Sequence, residues 1–266
     1  MPERLIAPNT PEALKPLVAE GAIPLRRVWA MLALRSGVTF TLLLTLAAVF
    51  SLAGRPDAVA ASAAWWLWFV TVANIASLLL MRRFARLEGL RMRDIFFASK
   101  STWKGDLIWA FVFMLGTAVF ALLPGTFLAT ALWGDATYPN EMLFQALPLL
   151  AVYPLFALMP ATQALAELPM YWGYVAPRLQ AWGMGRWLAI AIVGGTLSLQ
   201  HMFFAFQPDW RYALWLAVKF LPFALWTGFI VDRRPTALPY LMGLHFLIDA
   251  TLPVLLLLVS MGIPLQ

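Results

Sequence analysis

Seven stretches of this chain, at 28–53, 59–81, 107–133, 142–175, 187–206, 212–231 and 236–263, are apolar and each is long enough to reach across a lipid bilayer. A spanning helix needs about 18 or more such residues in succession. Lipid offers the backbone no hydrogen-bond partner, so a spanning run must satisfy its own amides, either as a helix or as a strand of a closed barrel. The apolar/polar alternation of barrel strands is absent, which leaves an all-α, polytopic transmembrane helix bundle as the expected fold. The fourth and seventh runs are long and contain prolines, so each could break in two; about seven to eight spans are expected.

With 62% of residues hydrophobic and only 12% charged, a soluble domain is excluded. The net charge of +6 does not point to nucleic acid, because the basic residues sit in short connections between the apolar runs. Arg26 and Arg27 precede the first run. Arg82, Arg83, Arg86, Arg91, Arg93, Lys100 and Lys104 follow the second, Arg178 and Arg186 the fourth, and Arg233 and Arg234 the sixth. The opposite connections pair Arg55 with Asp57, Asp135 with Glu141 and Asp209 with Arg211. By the positive-inside rule the basic side and the N-terminus face the cytoplasm, which for a bacterial protein places the chain in the cell membrane.

Residues 1–27 read as a polar, proline-bearing lead-in on that face, with no cleavable leader. Residues 28–141 hold the first three spans, and residues 142–266 form a second unit that carries the polar chemistry described below. Within the first unit, 82–106 is too charged to span. Its Leu87, Leu90, Met92, Ile95, Phe96 and Phe97 suit either an amphipathic helix lying among headgroups or a solvated connector. There is no cysteine, so disulfides and thiolate metal sites are excluded.

Six ionisable residues fall inside the runs: Arg35, Glu167, His201, Lys219, His245 and Asp249. A charged side chain at mid-bilayer costs on the order of 2.5–3.5 kcal/mol, so each requires a partner or a function. Arg35 and Lys219 are long enough to reach an interface or to pair structurally. The other four share one depth. Glu167 precedes Arg178 by eleven residues, His245 follows Arg234 by eleven and His201 follows Arg186 by fifteen. At 1.5 Å per residue that is about 16–23 Å from the basic boundary. Asp249 lies one turn beyond His245, on the same helix face. Both histidines of the chain are therefore expected in one stratum with two acids, converging on a pocket from three helices.

A buried carboxylate beside an imidazole can take a proton from water, and a second imidazole with a carboxyl group can stabilise the oxyanion formed when that water attacks a carbonyl. Glu167 with His201 suits the first task, and His245 with Asp249 the second. The same residue types are also a donor set for a divalent ion such as zinc, which Glu167, His201 and His245 would hold. No contiguous His-Glu-x-x-His motif is present, and no metal is assigned.

The segment Glu167-Leu-Pro-Met-Tyr-Trp-Gly-Tyr-Val-Ala-Pro-Arg-Leu179 resembles the Glu-Glu-x-x-x-Arg-Gly-Tyr motif, followed by Pro-Arg-Leu, of the CPBP (CAAX protease/Abi) family of intramembrane proteases. His201 matches the histidine of that family's Phe-x-x-x-His motif, with Leu197 in place of phenylalanine, and His245-Phe-Leu-Ile-Asp249 matches its His-x-x-x-Asp/Asn motif. The resemblance covers about residues 142–255. It implies an endopeptidase that hydrolyses a peptide bond within the membrane, Glu167 and His201 activating the water and His245 and Asp249 stabilising the oxyanion. The implied partners are lipid and a membrane-associated peptide or protein substrate. Leu168 and Trp172 stand where the family has its second glutamate and its arginine, which keeps open a catalytically silent scaffold. A proton- or ion-coupled transporter is the remaining reading, with no internal repeat to favour it.

Overall fold

A computed structural model describes residues 8–97 and 101–264; Lys100 and residues 1–7 of the lead-in lie outside them. Among the described residues the chain is helical and contains no strand. Among the described residues six helices, not seven or eight, are long and apolar enough to cross a bilayer. Eight helices organise the fold: α1 (Pro11–Ala19), α2 (Leu25–Leu52), α3 (Trp66–Leu87), α4 (Trp103–Trp133), α5 (Leu149–Ala181), α6 (Arg186–Leu199), α7 (Trp210–Arg233) and α8 (Pro235–Ser260). The protein is an integral, multi-pass membrane protein whose candidate spans are α2–α5, α7 and α8.

The expected fifth span, 187–206, accounts for the difference. Its helix is 14 residues long and gives way at Gln200 to a 3-10 turn ending at Phe203. At 1.5 Å per residue α6 covers about 21 Å, short of the roughly 30 Å hydrocarbon layer. The apolar run continues past that point, but the chain turns where Gln200 and His201 must meet polar partners. Both long runs are interrupted, the fourth by a non-helical stretch at 144–148 and a turn at Tyr153–Pro154 and the seventh by a turn at Ala250, yet each contributes a single candidate span, α5 and α8. In α5 the continuity depends on π turns over Pro169–Val175, which accommodate a residue that lacks the N–H for an ordinary helical bond.

α2 packs on α3, α3 on α5, α5 on α8, and α7 on both α4 and α6. α4 is the most peripheral, with Leu107, Ile108, Phe111, Leu115, Leu122, Leu123 and Phe127 exposed along it. An outward apolar face of this kind is suited to lipid.

One end of the bundle is fastened by polar contacts. Arg234 donates to Asp106 at 2.7 Å, Arg186 lies 3.7 Å from Asp232, and Arg178 pairs with Glu88. Arg178 was expected in a loop but is wholly buried. Its guanidinium also donates to Asn9 Oδ1 at 3.1 Å, while Asn9 donates to the Gly173 carbonyl at 2.7 Å. Tyr174 completes the cluster by donating to Glu88 at 2.6 Å. The described part of the lead-in is thus built into the bundle: Leu14 and Ile23 are buried, as Asn9 is, and α1 packs on the end of α5.

The described residues of the basic segment 82–106 do not form one helix. Arg82, Arg83 and Arg86 belong to α3, which stops at Gly89, whose φ of 72° lies in the left-handed region. A four-residue helix, Met92–Ile95, follows, and Leu90, Ile95 and Phe97 are buried in the main core.

This segment comes close to α5 at Gly173. A Cβ there would lie 2.5 Å from the Ile95 carbonyl oxygen and 3.1 Å from its side chain. Gly173→Ala is expected to cost about 1–3 kcal/mol by overpacking a site that cannot yield. Gly195→Ala in α6, where a Cβ meets nothing within 4 Å, is expected to be neutral or slightly stabilising. Thermal midpoints of the two variants in detergent check the contrast; equal midpoints would contradict it.

Candidate functional site

Glu167 lies on the last turn of the regular helix of α5, immediately before the π segment. It is almost fully buried, so its carboxylate must be neutralised by its neighbours. Arg35, wholly buried in the middle of α2, donates to Glu167 Oε1 at 3.0 Å. Gln200 Nε2 donates to the same oxygen at 2.6 Å, and His245 Nε2 lies 2.8 Å from Oε2. Both oxygens of the carboxylate are therefore engaged, from α2, α8 and the turn that ends α6.

Arg35 is itself held on every side. Its Nε donates to Gln200 Oε1 at 2.9 Å, one terminal nitrogen donates to Asn74 of α3, and the other reaches Gln163 at 3.1 Å as well as Glu167. Asn74 in turn donates to Gln163 Oε1 at 2.9 Å, and Tyr171 donates to Gln200 at 2.9 Å. A buried ion pair is tolerated only when further hydrogen bonds satisfy its remaining donors and acceptors, and this amide shell supplies them.

His245 and Asp249 sit one turn apart on α8, as their spacing predicts, with His245 Nε2 3.2 Å from Asp249 Oδ2. A ring nitrogen between two carboxyl groups must carry the proton, so His245 presents Nε2–H. His201 differs. Its Nδ1 lies 2.9 Å from the Leu197 carbonyl and 3.2 Å from that of Ser198, both acceptors, so Nδ1 holds the proton. In the neutral ring Nε2 then keeps a lone pair, and it makes no hydrogen bond among the described residues. The ring is fixed by Phe220 and Phe204, at centroid distances of 4.0 and 5.0 Å. The site thus holds one imidazole as a donor and the other as an acceptor.

All four sequence-predicted residues, Glu167, His201, His245 and Asp249, line one cavity of about 270 Å³ with otherwise largely apolar walls. Three of them are in direct contact. His201 makes no hydrogen bond to Glu167, so the imidazole bonded to that carboxylate is His245. Sequence reasoning missed Asn74, Gln163 and Gln200 and treated Arg35 as peripheral. A signal for Arg35 existed, since an arginine in mid-span has to find a buried acid.

The donor set for a metal does not assemble. Among the described residues no group of three or more His, Asp or Glu side chains is placed to hold an ion. Glu167 already accepts from a guanidinium, an amide and an imidazole N–H, which leaves one acceptor site on Oε2, and His245 Nε2 is engaged as a donor, so Glu167, His201 and His245 do not present three free lone pairs to a common point.

No model of a protein family, no curated protein and no solved structure matches the chain.

Proposed function

We propose that the protein is a glutamate-dependent intramembrane endopeptidase of the CPBP type, with its basic face and N-terminus toward the cytoplasm and a membrane-associated peptide or protein as substrate. The observation that carries this reading is the cavity itself, where a carboxylate and two imidazoles of opposite hydrogen-bonding character face an apolar space inside a membrane-type bundle.

In this account a water enters between Glu167 and the free Nε2 of His201. Glu167 takes one of its protons while His201 accepts a hydrogen bond from the other, and the water oxygen bonds to the scissile carbonyl carbon. His245 Nε2–H turns from Glu167 to the oxygen that becomes negative, and Asp249, 3.2 Å away, supports the charge on the ring. The carbon–nitrogen bond then breaks, and the proton held by Glu167 passes to the departing amine. Arg35 holds the carboxylate in place throughout.

Leu168 and Trp172, the departures from the family pattern, are both buried in the core, where Trp172 packs on Gly228. If the family's second glutamate and arginine form a structural ion pair, replacing both by apolar side chains leaves no charge unpaired and is less damaging than losing one of them.

The test is cleavage of a pool of membrane-anchored peptides by protein reconstituted in lipid, with His201→Ala and His245→Ala at matched folding. Each variant is expected to lose about 10²-fold in rate, and a chelator is expected to leave the wild-type rate unchanged. Undiminished products in both variants would overturn the assigned roles. Inhibition by the chelator, reversed by added zinc, would overturn the metal-free account.

A further inference from the structure

Lys219 of α7 is the one ionisable side chain lining the cavity that the proposed chemistry leaves unused. It is 8% exposed, and among the described residues its side chain makes neither a hydrogen bond nor an ion pair. It does not turn back toward an interface. Its Nζ lies 3.3 Å from the centroid of the Trp215 ring and 4.7 Å from that of Phe220, and Trp215 is itself anchored by donating to the Gly125 carbonyl at 2.9 Å.

Aromatic faces steady an ammonium without neutralising it. The carboxylates of the cavity are committed elsewhere: Glu167 to Arg35, Gln200 and His245, and Asp249 to His245. Among the described residues no acid lies within ion-pair distance of Lys219, so its amine has no fixed counterpart in the cavity. A buried amine is costly to charge while it has no counter-ion, and an anion that enters the enclosure removes that cost.

We propose that Lys219 is a specificity residue which pairs with a carboxylate of the bound peptide, so that the substrate presents either a free C-terminus or an Asp or Glu side chain to the cavity. This rests on the peptidase reading for the identity of the ligand, but its test measures binding rather than turnover. A cavity of about 270 Å³ is small beside drug-sized sites, which run upward from about 300 Å³, and suits a short segment of chain.

Four N-acetylated leucine-rich tripeptides serve as probes: one with a free C-terminal carboxylate, its C-terminal amide, and two amidated forms with a central Asp or Asn. Binding to the protein in nanodiscs is followed by tryptophan fluorescence, for wild type, Lys219→Gln, Lys219→Met and Lys219→Arg. At least one carboxylate peptide is expected to bind wild type about tenfold more tightly than its neutral counterpart. Which one does so tells a terminal from a side-chain carboxylate. The preference should vanish in Lys219→Gln and Lys219→Met and persist in Lys219→Arg. Equal or absent binding of all four peptides, or a preference that survives Lys219→Gln, would overturn the assignment. Preference without any peptide cleavage would sink the peptidase and keep the carboxylate site, whereas cleavage without preference would do the reverse.

Discussion

Replacing Arg35 by methionine is expected to destabilise the protein by about 3–5 kcal/mol, the cost of leaving a buried charge without its partner. Methionine fills much of the space but removes every donor, so Glu167 keeps only Gln200 and His245, and the acceptor oxygens of Asn74, Gln163 and Gln200 lose their common partner. The double variant Arg35→Met with Glu167→Gln is expected to recover most of the loss, because neither site then carries a charge. The coupling between the two substitutions, read from thermal midpoints or denaturant titrations in detergent, isolates the ion pair from simple loss of packing. Additive effects would show that Arg35 and Glu167 do not depend on each other, and the description of the site would fail.

The second large effect is on chemistry. Glu167→Gln keeps the size and the planar shape of the side chain, yet its amide cannot take a proton from water. Its carbonyl can still accept from Arg35 and Gln200, but Arg35 then lacks its counter-charge, so the variant is expected to be less stable and, compared at matched folding, to lose about 10⁴-fold in peptide hydrolysis, the upper end of what a positioned base contributes. The amide nitrogen meets His245 as donor to donor, unless that ring gives up its Nε2 proton. Part of the loss therefore comes from releasing His245, and His245→Ala alone should lose less.

Much of this architecture was legible before any coordinates. Hydropathy identified the six long helices because a spanning helix has to be apolar along its whole length. It overcounted at 187–206 because composition cannot see that α6 stops at Gln200 to present its polar end to Arg35 and Tyr171. Counting residues from the basic boundary placed Glu167, His201 and His245 at one depth, since rise per residue is fixed. Rotation about the helix axis and the choice of neighbours are not fixed by sequence, and so the count could not tell which histidine touches Glu167.

The amide shell escaped notice for a related reason. Asn74, Gln163 and Gln200 carry no charge, and a lone amide in a span is inexpensive enough to attract no attention. Their role depends on a contact between α2 and α5 at a separation of 132 residues, from Arg35 to Glu167, which no local pattern encodes. Arg178 was misplaced because its partner Glu88, which takes it out of the loop, lies 90 residues away at the end of α3.

The central claim is that Glu167 activates water for peptide hydrolysis inside the membrane. Its most direct test is turnover of a membrane-anchored peptide pool by wild type and by Glu167→Gln, reconstituted in the same lipid and shown to be equally folded. The account predicts defined products from wild type and almost none from the variant. Products from Glu167→Gln at the wild-type rate, or none from wild type across the pool, would contradict it.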